Sequence, residues 1–262
     1  MTNDLAAPPR EGNSTADRAL SILEMFSHQR RQISARDVAA GLGVARSTAY
    51  RYLQTLVSAS YLEESPEGGF RLGAKILELA QVAQGRNNLP DLALPEMRRI
   101  ATEFGQTVLL TKLVGDSILC LEQEDSPTQF VRLSYRRGGQ MAVNAGASAL
   151  ACIAWMTGSA LRELLERQPL PHISESTVTD VDRLLDRLDQ VRRDGYVVTR
   201  GEVDPEGMGI GVPVYDGEGQ VVGALSVVGL QTRIDAATVP RIVDTLLAAS
   251  ASVTAGLSSY GS

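Results

Sequence analysis

Cysteine and histidine are nearly missing from this chain: its 262 residues include two of each. Cys120 and Cys152 lie too far apart for a close-spaced thiolate pair. They describe neither a disulfide framework nor a metal cluster, and read as buried thiols. His28 and His172 are also distant from each other, and neither stands in a His-Glu helical ligand pattern, so no metal site is expected. His28 reads as a loop residue, or at most a phosphate contact. There is no Rossmann glycine fingerprint, no P-loop and no His-Ser or His-Cys constellation with interpretable spacing. No catalytic residue and no cofactor are therefore predicted. Glu202, Asp204 and Glu206 form a tempting acidic cluster, but grouped acids also occur in solvated loops. No uninterrupted apolar run is long enough to cross a bilayer, and the polar N-terminus lacks the basic-then-apolar order of a secretion signal. A cytoplasmic protein without a membrane partner is the expectation.

An excess of positive charge is missing too. The formal charge of −6 argues against indiscriminate polyanion binding. The average conceals an asymmetry, however: residues 1–86 carry ten basic and nine acidic side chains, and the remainder fifteen and twenty-two. Within residues 28–56 five arginines (Arg30, Arg31, Arg36, Arg46, Arg51) face one acid, Asp37. Any DNA affinity should be local and salt-sensitive.

What is present is concentrated between Ser34 and Leu62. Ser34 is a plausible N-cap with Asp37 three positions on, an acidic analogue of the capping-box partner. Val38 and Leu42 supply an apolar face, and Gly41 and Gly43 interrupt the helix and permit a reversal. From Ala45 a second helix begins, with Ala49, Tyr52, Leu53 and Leu56 on one side. Arg46, Ser47, Thr48, Tyr50, Arg51 and Thr55 are left wholly or partly on the other, where hydroxyls and guanidinium groups can meet phosphates or base edges of a DNA major groove. The alternative is a small helical packing element whose arginines face water. Tyr61 and Leu62 then begin a strand, SPEGG supplies a reversal, and Phe70 to Leu72 return as the second strand of a wing that brings Arg71 toward the backbone or minor groove. Ahead of these, Ala19, Ile22, Leu23 and Phe26 line a helix starting near Ser14 or Thr15. Helix, helix, turn, helix, hairpin is the order of a winged helix-turn-helix.

The runs RALSILEMF, ISARDVAAGLGVARSTAYRYLQTLVSASYLEE and GGFRLGAKILELA closely resemble the N-terminal module of the IclR family of bacterial transcription regulators. Residues 195–216, GYVVTRGEVDPEGMGIGVPVYD, look like that family's C-terminal signature, with Gly195, Glu202, Ile210, Gly211, Val214, Tyr215 and Asp216 at matching positions. The resemblance covers roughly residues 14–257.

Between these signatures the periodicities alternate. A broad apolar helix follows Gly73, with Ile76, Leu77, Leu79, Ala80 and Ala83 suited to packing on the reader and on another element; it ends over 85–88, before Pro90. A helix over 92–104 precedes strands over 107–114, 117–122 and 130–133, the first two joined by a reversal at Gly115 and Asp116. Helices over 145–156 and 159–167 come next, then one capped by Thr179 and stopped by Gly195. Strands over 196–199, 208–214 and 221–228 lead to a helix over 236–257. The fold class is thus two-domain, an N-terminal winged helix-turn-helix and a C-terminal α+β domain. Its parts are an arm at 1–13, expected to be disordered, a DNA-binding domain at 14–73, a linker helix and connector at 74–90, and the second domain at 91–262.

Fold alone leaves an enzyme or a non-catalytic scaffold open; the resemblance favours a regulator. It implies that the second domain is GAF-like and binds a small effector, often an organic or aromatic acid. It also implies double-stranded operator DNA as partner, assembly as a homodimer or dimer-of-dimers tetramer, and more often a repressor than an activator. By the same resemblance the effector pocket involves Asn144, Ala147, Ser148, Thr199, Gly207, Gly209, Ser226 and Val228. Several depart from the family pattern: Asn144 stands for a frequent histidine, Thr199 for an acid or serine, Gly209 for Cys, Ser or Ala, and Val228 for a frequent serine. The last three changes predict a less polar, somewhat roomier pocket suited to a larger carboxylate or aromatic acid. Amides at the start of the 145–156 helix are expected to receive the carboxylate.

Overall fold

The computed structural model describes residues 15–27, 30–84, 89–126, 136–167 and 169–259. The arm at 1–13, His28, the helix end at 85–88 and the strand expected at 130–133 lie outside them. The chain divides into two compact units, Met1–Gly85 and Arg86–Ser262.

In the first unit, helices α1 (Thr15–Glu24), α2 (Ala35–Leu42) and α3 (Arg46–Ser58) precede an antiparallel hairpin of β1 (Leu62–Glu64) and β2 (Phe70–Leu72), and α4 (Ala74–Gln84) follows. The capping box closes as the residues predict: the Asp37 amide donates to Ser34 Oγ at 3.2 Å and the Ser34 amide to Asp37 Oδ2 at 2.8 Å. Gly43 ends α2 in the left-handed conformation. Gly41 does not interrupt the helix; it lies inside α2, where a Cβ would run into the Met25 side chain. Ile22, Ile33 and Val38, the α3 stripe Ala49, Tyr52, Leu53 and Leu56, and Leu62 and Phe70 of the hairpin form one buried cluster. The apolar positions of α4 behave differently from expectation: Leu77 is 69% exposed and Val82 78%.

The second unit is built on a six-stranded, wholly antiparallel sheet in the order β5-β4-β3-β8-β7-β6. Its strands are β3 (Thr107–Val114), β4 (Ser117–Glu124), β5 (Gln140–Met141), β6 (Val197–Arg200), β7 (Gly207–Tyr215) and β8 (Val221–Leu230). Helices α5 (Leu89–Phe104) and α9 (Thr238–Ser258) cover one face, where Met97, Ile100, Ile210, Val212, Leu225 and Leu246 pack together. On the other face lies α6 (Ala147–Ile153), backed by α7 (Gly158–Glu166) and α8 (Val181–Asp194). α5 begins earlier than periodicity suggests because Pro90 falls in its first turn, where a missing N–H costs no helical bond. Asp180, not Thr179, caps α8: its carboxylate accepts the Arg183 amide at 2.9 Å. The short edge strand β5 has too little pattern to be seen in the sequence.

Candidate DNA-reading surface and effector pocket

α3 separates its residues by face. Ala49, Tyr52, Leu53 and Leu56 are buried, whereas Arg46, Ser47, Tyr50, Arg51 and Thr55 are exposed and Thr48 is half-buried. Neither Arg46 nor Arg51 takes part in an ion pair among the described residues. No side chain caps the start of α3 at Ala45, so its first amides remain available to a phosphate. Tyr50 projects beside the wing, its ring edge-on to Phe70 at 6.1 Å. Two other predicted contacts are already engaged. Thr55 Oγ1 donates to the Arg51 carbonyl at 3.0 Å, and Arg71 Nε pairs with Glu63 Oε1 at 2.6 Å across the hairpin. That pair is half-exposed, so exchange for a phosphate costs little.

In the second unit, the start of α6, the end of β6, the 202–204 loop and β7 converge on a cavity of about 20 Å³, whose lining includes Ala147, Thr199, Glu202, Gly207, Gly209 and Val228. This volume holds about one water. The roomier pocket expected from small side chains is not found, and the glycines are the reason. A Cβ on Gly209 would stand 3.0 Å from Ala147 Cβ and 3.0 Å from Thr199 Oγ1, and one on Gly211 would stand 2.8 Å from the Ala147 carbonyl oxygen. Missing side chains here let α6 settle onto β7 instead of leaving space.

Glu202 fills what remains. It is 5% exposed, contrary to its reading as part of a solvated loop. Its Oε2 accepts the Gly146 amide at 3.0 Å, and its Oε1 pairs with Arg187 of α8 at 2.5 Å. Thr177 Oγ1 donates to the Glu202 carbonyl at 2.7 Å. An amide expected to wait for an effector carboxylate is thus already bonded to a carboxylate from the chain itself.

Three predicted effector residues lie apart from this cavity. Ser148 and Ser226 are buried and hydrogen-bonded to each other at 2.6 Å. Asn144 is fully buried, its Nδ2 donating to the carbonyls of Pro171 at 3.1 Å and Val178 at 2.9 Å, so it ties down the 171–178 loop. Both cysteines are buried as expected, and burial pushes each thiol up to about 12, which leaves no reactive thiolate at neutral pH. No group of three potential metal ligands occurs among the described residues.

Comparison with known proteins gives these two sites a context. Residues 15–66 match the family described as the IclR helix-turn-helix domain, and residues 81–255 match that described as bacterial transcriptional regulator IclR C-terminal. The chain belongs to the IclR family. The HTH-type transcriptional regulator XynR of Escherichia coli is 29% identical over 222 residues, which cover 84% of this chain and 88% of XynR. A crystal structure of an IclR homolog from Microbacterium hydrocarbonoxydans, complexed with 4-hydroxybenzoate, is 31% identical with a TM-score of 0.83, and the match covers 93% of this chain and 99% of that one. The IclR regulator from Alicyclobacillus acidocaldarius matches at 27% identity and a TM-score of 0.80, over 92% of this chain and 98% of that one.

This IclR chain is accordingly a DNA-binding transcriptional regulator, and the enzyme alternative falls because its relatives are regulators. α3 lies within the residues that match the IclR helix-turn-helix domain. What residue-by-residue reading missed in the IclR C-terminal unit is the pairing of Glu202 with Arg187. One signal was available: of the three clustered acids, Glu202 alone occupies a matching position of the C-terminal signature.

Proposed function

We propose that this protein is a cytoplasmic transcriptional repressor of the IclR type. In this reading residues 14–73 read operator DNA, residues 74–90 connect, and residues 91–262 bind a small carboxylate or aromatic acid that lowers operator affinity. The observation that carries it is the α3 surface: Arg46 and Arg51, exposed and outside every described ion pair, flank Ser47 and Tyr50 on the face opposite the buried stripe. Arg46 and Arg51 meet phosphates, Ser47, Thr48 and Tyr50 reach phosphates or base edges, and Thr55 and Arg71 border the contact.

Two readers are needed for a paired operator, so the working species is a homodimer or a dimer of such dimers. The bare Leu77 and Val82 side chains of α4 support association through that helix. Effector acids of one ring suit the family's chemistry, as in the relative that holds 4-hydroxybenzoate. The effector carboxylate competes with Glu202 for the Gly146 amide beside Ala147, Thr199, Gly207, Gly209 and Val228, while Ser148, Ser226 and Asn144 hold the walls. Binding therefore requires the 202–204 loop to give way, and the effector must favour that opened arrangement to shift DNA affinity.

Quantitative footprinting of the full chain on DNA upstream of its own gene, with and without benzoate-class acids, tests this. Protection that an acid relieves supports the reading. Absence of protection at low salt from a chain of verified oligomeric state would leave a scaffold, and protection that the acid strengthens would make the protein effector-dependent in the opposite sense.

A further inference from the structure

β1 sets one carboxylate on each side of the wing. Leu62 is buried, so Glu64, its neighbour but one, takes the same side and turns toward α3, while Glu63 takes the other and pairs with Arg71. The cross-strand pair Glu64 and Phe70 meets successive turns of α3. The Tyr50 ring stands edge-on to Phe70, and Gln54, four positions on, donates from Nε2 to Glu64 Oε1 at 2.9 Å. Gln54 also belongs to the outward line of the helix. Two positions along an α-helix turn through about 200°. Ser47 and Gln54 therefore lie nearly opposite Ala49 and Leu56, both of which are buried, and Arg51 stands between them on the outer face. One side chain thus stands away from the core and is gripped at its tip by the wing.

A carboxylate only accepts hydrogen bonds, so Glu64 fixes which end of the Gln54 amide carries the donor. Oε1 is then held away from Glu64, and neither it nor the remaining amide hydrogen has a partner among the described residues. An oriented amide with one acceptor and one donor to spare is the complement of adenine in the major groove, where N6 donates and N7 accepts. Guanine presents its O6 acceptor where adenine presents N6, so Oε1 would meet an acceptor there. A glutamine free to turn over escapes that clash by offering Nε2 to O6. Tethered to Glu64, Gln54 can do so only by giving up its bond to the wing. We propose, on the reading that α3 is presented to DNA, that Gln54 is a base-reading residue that selects adenine over guanine in the operator, and that Glu64 is the positioning residue that sets its amide.

Selection of binding sites from a randomised double-stranded DNA library by the full-length protein, with sequencing of the bound fraction, tests this. The wild type should favour adenine over guanine about tenfold at one position of the half-site, the discrimination expected of one paired base contact. Gln54 is half-buried, Glu64 is exposed, and neither belongs to the buried cluster, so their replacement leaves folding intact. Gln54→Ala should abolish the preference at that position alone and leave the slope of log K against log salt unchanged, because no phosphate contact is lost. Glu64→Gln offers a donor as well as an acceptor, so the Gln54 amide can turn over and keep its contact; adenine and guanine should then bind equally well. An unchanged base preference in Gln54→Ala, a loss spread evenly over all sequences with a shallower salt slope, or a base other than adenine at the position that depends on Gln54 would each overturn the base-reading role. An adenine preference untouched by Glu64→Gln would overturn the positioning role. Failure of the wild type to select any sequence at low salt would instead end the operator-reading account of α3, and the role of Gln54 with it.

Discussion

α3 and α6 each begin close behind a glycine of positive φ, Gly43 and Gly146, and there the likeness ends. α3 has 13 residues, of which Ala49, Tyr52, Leu53 and Leu56 are buried, and exposes Arg46, Ser47, Tyr50, Arg51 and Thr55. α6 has 7 residues and all of them are buried. A helix that works from its surface keeps one polar face, so its task shows in its spacing. A helix that works inside a core has no polar face to show, and its partners come from distant parts of the chain. Glu202 reaches Gly146 from 56 positions away.

Three substitutions and one labelling experiment probe that contrast, beginning with the greatest expected effect. Glu202→Ala removes one member of a buried ion pair and frees both Arg187 and the Gly146 amide. It should cost the second unit about 3 kcal/mol, toward the low end for such pairs because Arg187 keeps some contact with water. Urea unfolding followed by Trp155 emission measures this; a loss under about 1 kcal/mol would mean that α6 is held by packing alone.

Arg51→Ala should do the reverse, leaving stability within about 0.5 kcal/mol and weakening operator binding about tenfold at moderate salt. The slope of log K against log salt should fall by about one contact. Wild-type affinity and slope in a folded Arg51→Ala protein would remove the phosphate contact from the account.

Asp37→Ala tests the scaffold that aims α3. Loss of the capping box should cost about 1 kcal/mol. The Ser34 hydroxyl and amide, with Arg30 adding its charge, hold the Asp37 carboxyl below its ordinary value of 3.8. A lowered native pKa gives stability that is present above the ordinary value and fades as the pH falls through the native one. The stability gap between the wild type and Asp37→Ala should therefore narrow on acidification below that range; a gap that widens would reverse the assigned sign.

The smallest effect is an expected silence. With both thiols pushed up to about 12, a thiol reagent at pH 8 should label neither Cys120 nor Cys152 in the native protein and both after unfolding. Rapid native labelling of Cys152 would show that the end of α6 opens to solvent in the native protein.

The first unit was largely legible because its elements carry local signals. Ser34 and Asp37 mark a helix start by themselves, and the Ala49–Leu56 stripe specifies which side of α3 is buried. Gly195 stops α8 in the left-handed conformation as the sequence suggests. Where the reading slipped, the deciding contact was remote. Gly209 looked like added room, yet Ala147 and Thr199 close around it. Ser148 and Ser226 looked like ligand contacts, yet from 78 positions apart they satisfy each other. Asn144 looked like a pocket residue, yet it anchors the carbonyls of Pro171 and Val178.

Periodicity, caps and turns alone determined that a basic, polar helix face stands opposite an apolar stripe behind a glycine reversal, because those features depend on neighbours within a few residues. Only the tertiary structure decided that the Gly146 amide is bonded by the protein's own carboxylate, Glu202. That depends on which strands meet and how closely α6 approaches them, and the dense packing of a core turns a one-atom difference, such as a missing Cβ at Gly209, into the presence or absence of space.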